Sequence, residues 1–69
     1  MVQVESEAIA EIAYDAKQSV MLIRFVEGDW YTYFDVPANV YRSFLAAESH
    51  GRFFHQHILD RYRYRRGRR

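Results

Sequence analysis

The chain has no cysteine, one proline and three glycines among its 69 residues. Without cysteine, neither a disulfide nor a thiolate zinc site can reinforce the fold. No stretch reaches the ~18 consecutive apolar residues that a membrane-spanning helix needs. The N-terminal residues Met1 to Glu7 lack the basic flank and apolar run of a secretory signal. The expectation is a cytoplasmic protein with no membrane contact. Also missing are a Gly-x-Ser-x-Gly elbow, a phosphate-cradling glycine loop and a thiol nucleophile. The material that is present is hydrophobic (49% of residues) and unusually aromatic (17%), so these side chains must build the core. A chain this short buries only about 60% of the surface that its unfolded form exposes, which allows one domain with a thin core.

The net charge of +1 hides an asymmetry. Residues 1–48 carry three basic and eight acidic side chains, whereas residues 49–69 carry seven basic and one acidic. Six of the last nine residues are arginine. Such a split points to an anionic partner for the basic end.

Between the two charge regimes lies the most informative run, Phe25 to Pro37, in which five of thirteen residues are Phe, Tyr or Trp. Glu27-Gly28-Asp29 reads as a hairpin turn, with Gly28 free to take positive φ. Before it, Ser19 to Val26 reads as a strand with Met21, Ile23 and Phe25 on one face; a polar turn at Asp15 to Gln18 separates it from an earlier strand ending at Tyr14-Asp15. After it, Trp30 to Phe34 reads as a third strand. Tyr31 and Tyr33 lie on one face, with Trp30, Thr32 and Phe34 on the other. Val36-Pro37 starts a helix whose face is Val40, Tyr41, Phe44 and Leu45. Gly51 reads as a C-cap or turn residue between that helix and a second one over about 52–61, with Phe54 and Ile58 inward, joined by Leu59 and Tyr62. The expected fold is a small two-layer α+β domain, a three-stranded antiparallel meander followed by two helices (β-β-β-α-α). Residues 1–7 form a polar leader, 8–62 the domain, and 63–69 an arginine-rich tail that should fray for want of an apolar face.

In its ordered spacing the chain resembles the KTSC domain family. The resemblance runs from Ser6 through Tyr14-Asp15, the alternating Met21, Ile23 and Phe25, Gly28, Tyr31 and Tyr33, and Val36-Pro37 to Tyr41. It continues through Ala46-Ala47-Glu48-Ser49, Gly51, Phe53-Phe54 and Ile58 to Tyr62. Two departures are His55, where the family often has asparagine, and Ala13, where it often has glycine. The family is named after a C-terminal extension of some lysyl-tRNA synthetases. The resemblance therefore implies RNA binding, to tRNA or single strands, and a stand-alone protein of bacterial or phage type.

The candidate nucleic-acid-binding residues are Tyr31, Tyr33, Arg42, Arg52, His55, Arg61, Arg63, Arg65 and Arg66. Arginines neutralise phosphates, and exposed rings stack on unpaired bases. For Tyr31 and Tyr33 the alternative is a place in the core, which a thin domain favours; Trp30, Thr32 and Phe34 then occupy the open sheet face. The competing functional class is a protein-interaction module, in which an aromatic sheet face pairs with itself or with a partner. No metal or cofactor is expected. His55 and His57 stand about 200° apart around a helix and His50 precedes it, so the three do not converge. Arg52, His55 and Glu48 are residue types found in metal-free ribonucleases, but nothing orders them into a catalytic set, and a non-enzyme is expected.

Overall fold

The structure, a computed structural model, describes residues 2–3 and 8–68. Strands β1 (Val2–Gln3), β2 (Ile9–Asp15), β3 (Val20–Phe25) and β4 (Trp30–Tyr33) lead to helices α1 (Ala38–Ala46) and α2 (His50–Phe53). Helix α2 runs on without interruption as a π-helical segment, Phe54–Ile58, before a last strand, β5 (Tyr64–Arg66). The sheet is antiparallel throughout, in the order β1-β2-β3-β4-β5. The small α+β domain with an antiparallel sheet and two helices is as expected, but the sheet has five strands among the described residues, not three. The expected meander is its centre; β1 and β5 extend its edges.

The turns follow from local chemistry. The Asp15 carboxylate accepts hydrogen bonds from the backbone N–H groups of Lys17 (3.0 Å) and Gln18 (3.3 Å), closing the β2–β3 turn. Gly28 takes φ 112°, and its N–H donates to the Phe25 carbonyl at 2.8 Å. That conformation is strained for residues with a Cβ. In β2 the ladder shifts between Ile9 and Glu11, so Ala10 forms a bulge. Ile9 and Ile12 are therefore both fully buried although three positions apart.

The register puts Met21 opposite Tyr33 and Ile23 opposite Tyr31. Together with Ile9 and Ile12 these make the face that packs on Phe44 of α1 and on Phe54 and Ile58. Val40, Tyr41 and Leu45 pack at its margin, as do Leu59 and Tyr62. The Tyr14 ring stacks on Tyr41 (4.7 Å between centroids, 12° between planes), and its hydroxyl donates to the Val36 carbonyl at 2.6 Å. This fastens the sheet to the entrance of α1.

Two expectations about the helices are corrected. Gly51 is not a C-cap: α1 ends at Ala47 in an extended conformation, and Gly51 lies inside α2. Ser49 caps α2, its Oγ accepting from the Arg52 N–H at 3.2 Å. The second helix also starts two residues early and stops at Ile58. There the Leu59 N–H reaches back five residues to the Phe54 carbonyl (2.8 Å), the widened turn of a π-helix.

The fraying expected of the arginine-rich tail is corrected too. Tyr64–Arg66 pairs with β4 through Tyr33↔Tyr64, Thr32↔Arg65 and Tyr31↔Arg66. The physical reason is periodicity. A helix needs an apolar face, whereas a strand needs only alternate positions. Tyr64 supplies the inward one, packing against Tyr31 (5.9 Å) and Tyr33 (5.6 Å).

Candidate nucleic-acid interface

The sheet face turned away from the helices carries Trp30 and Thr32, flanked by Leu22 and Arg24 on β3 and by Arg65 on β5. Phe34 continues the alternation just beyond β4. Over these rings the tail lays two arginines. The Arg63 guanidinium stands 4.9 Å from the Phe34 ring centroid, and that of Arg68 stands 4.7 Å from Trp30. Both distances lie within cation–π range.

The backbone holds the tail there. The Phe34 N–H donates to the Arg63 carbonyl (2.9 Å), and the Gly67 N–H to the Trp30 carbonyl (2.7 Å). Thr32, fully buried, donates from its hydroxyl to the Gly67 carbonyl at 2.8 Å. Gly67 has φ 103°, a left-handed turn that a side chain would strain. That turn brings Arg68 back over the sheet. Ala13, Leu22, Trp30 and Arg68 then line an open hollow of about 380 Å³.

The charges around this face are partly compensated. Arg24 pairs with Glu11 at 2.5 Å. Arg63 lies 3.9 Å from Asp35 with both side chains mostly exposed, so that pair is weak and easily exchanged for another anion. Arg65 projects from the middle of β5 and is exposed. Along a strand, Arg63 and Arg65 are spaced by about 7 Å on the same side.

The candidate residues fall into separate groups. Arg63 and Arg65 belong to the open face. Arg66 points to the other side and binds Asp29 at 2.8 Å. Arg42 on α1, Arg52 on α2, His55 and Arg61 are exposed but lie on the helical layer or its exit. Tyr31 and Tyr33 are on the helix-covered face, as the core alternative held. Tyr33 is only 3% exposed and packs against Phe54 (5.8 Å), so it has no ring face to offer a base. Burial, with the Tyr64 and Tyr31 phenols and the Asp60 carboxylate adding to it, pushes the Tyr33 hydroxyl up to about 12. The base-stacking role assigned to Tyr33 is thereby corrected: Trp30 and Phe34 are the aromatics of the open face. Arg68 was missed by sequence reasoning; the glycine before it was the signal that the chain turns back.

The histidines do not converge. His50 Nε2 donates to the Leu45 carbonyl at 3.3 Å, His57 packs 4.5 Å from the Phe53 ring, and His55 lies 5.7 Å from Phe54. No cluster of His and carboxylate side chains suited to a metal forms among the described residues. Glu48 and Arg52 line one shallow hollow with Ser49, Phe53 and Gln56, but His55 is not part of it.

Comparison with known proteins gives a consistent result. The KTSC domain profile matches residues 5–62. A protein of Tsukamurella paurometabola is 41% identical over 63 residues, spanning 91% of this chain and 94% of its own length. An uncharacterised protein of Stutzerimonas stutzeri is 35% identical over 55 residues, 80% of this chain and 78% of that one. The crystal structure of a KTSC domain protein from Yersinia pestis superposes with a TM-score of 0.88 at 34% identity, over 93% of this chain and 90% of that one.

Proposed function

This chain belongs to the KTSC domain family, and on that footing we propose that it is a non-catalytic RNA-binding module that receives single-stranded RNA on its open sheet face. The observation that carries the reading is the pairing of each open-face ring with an arginine, Arg63 over Phe34 and Arg68 over Trp30. Rings give unpaired bases a stacking surface, and guanidinium groups beside them meet the phosphates. The tail is not a loose polycation in this arrangement. It is an edge strand that sets its charges in register with the rings.

The test is a titration of the full chain against fluorescent single-stranded and hairpin RNA at several salt concentrations. Trp30 is the only tryptophan and reports stacking through its own fluorescence. With three arginines engaged (Arg63, Arg65 and Arg68), the log–log salt slope for a single strand is about −2. Trp30→Ala should weaken binding by about 1–3 kcal/mol. Arg65→Ala should flatten the slope by about 0.7. Absence of binding at low salt, or binding indifferent to Trp30→Ala, would overturn the reading. Salt-insensitive self-association through the hollow of Ala13, Leu22 and Trp30 would instead assign this face to protein contact.

A further inference from the structure

The tyrosines that leave the open face help to build something else. Between the β3–β4 end of the sheet and the π-helical segment lies an open cup of about 250 Å³, walled by Phe25, Tyr31 and Tyr64, floored by the buried Tyr33 and Phe54, and lined also by Glu27 and Leu59. We propose that this cup is a receptor for the trimethylammonium group of a small organic cation.

Ring geometry is the first argument. Phe25 meets Tyr31 and Phe54 nearly edge-on (86° and 79°), at 5.4 and 5.3 Å between centroids. Tyr64 is tilted by 46° to Tyr31 and by 28° to Tyr33. Walls at such angles surround a rounded group on several sides. A flat guanidinium or nucleobase needs two parallel faces instead. The electron-rich faces of the rings attract a cation, and a cation that keeps its charge while shedding little bound water gains most from them. A quaternary ammonium ion, which has no N–H to hydrate, meets that condition.

Charge is the second argument. The only ionisable groups lining the cup besides the three phenols is the Glu27 carboxylate, which has no ion-pair partner among the described residues. Arg66 extends from the neighbouring register position opposite Tyr31, but its guanidinium is held by Asp29 at 2.8 Å. Asp60 adds a second negative charge near Tyr33. The cup is thus aromatic and anionic in a part of the chain otherwise dominated by arginine. Size is the third argument. A volume of about 250 Å³ is below the 300–1,000 Å³ common for drug-sized ligands, so it suits a headgroup and little more.

This site is independent of the open sheet face and stands or falls separately from RNA binding. The experiment is an NMR titration of the full chain with choline chloride, in parallel with its neutral carbon isostere 3,3-dimethylbutan-1-ol, at constant ionic strength. Choline should shift the amides of Phe25, Glu27, Tyr31 and Tyr64 saturably and bind about five- to thirtyfold more tightly than the isostere. Glu27→Gln, in an exposed turn, should weaken choline by about two- to fivefold and leave the isostere unchanged. Equal affinity for the two compounds would overturn the proposal by reducing the cup to an apolar hollow. So would shifts that never saturate or that map elsewhere. A trimethyllysine peptide bound at least tenfold more tightly than choline would overturn the small-molecule assignment.

Discussion

Thr32→Val tests whether the tail is ordered by the contacts described or merely lies near the sheet. Thr32 is fully buried, and its hydroxyl bonds the Gly67 carbonyl at 2.8 Å. Valine keeps the branched shape and removes the donor. An internal hydrogen bond contributes about 0.5–1.5 kcal/mol net, so the equilibrium for peeling residues 64–68 off β4 should move by about two- to twelvefold. The backbone bond from Gly67 N–H to the Trp30 carbonyl, 2.7 Å long, breaks in the same opening. Hydrogen exchange at the Gly67 amide should therefore accelerate by that factor, while the Ile12 and Ile23 amides in the central strands change far less. The emission of Trp30 should shift as Arg68 leaves its ring. Unchanged exchange at Gly67 would refute the reasoning. It would mean that the edge strand opens without breaking the Thr32 bond, or that another contact holds the turn.

Tyr14→Phe removes the 2.6 Å bond to the Val36 carbonyl and leaves the stack on Tyr41 in place. An unsatisfied buried acceptor costs about 1–3 kcal/mol, and each kcal/mol lowers Tm by about 4–8 °C in a domain of this size, which a thermal melt followed by circular dichroism will read. The raised Tyr33 hydroxyl, at about 12, makes the fold sensitive to alkali. Above pH 10 the unfolded phenol ionises while the folded one stays protonated, so its stabilisation is complete below pH 10 and is lost progressively toward pH 12. Melts between pH 9 and 12 should show a steeper fall for the native chain than for Tyr33→Phe.

The central strands were legible because period two is unambiguous there. Met21, Ile23 and Phe25 share one face of a run of residues that favour strands, and Gly28 marks the turn. Phe44, Phe54 and Ile58 were legible for the same reason at the helical period. The facing of Tyr31 and Tyr33 could not be read locally. It depends on register with Ile23 and Met21, which is a tertiary fact. The tail was misread because arginine-rich ends are usually solvated, and its pairing is decided by an unfilled edge on β4, whose residues stand more than thirty positions earlier in the chain. The π-turn at Phe54–Ile58 leaves no mark in the apolar spacing, since Phe54 and Ile58 would share a face in an ordinary helix as well.

The bulge at Ala10 has a consequence for length variation in the chain. It acts as a spacer that resets the phase of β2: Ile9 before it and Ile12 after it meet the same face. Excising Ala10 alone would leave an unbroken alternation with both isoleucines still inward. Excising Glu11 would leave the same spacing, whereas excising Ala13 would turn the strand from Tyr14 onward inside out. The extra residue thus makes this strand tolerant of a one-residue loss between the two isoleucines and intolerant of it beyond Ile12.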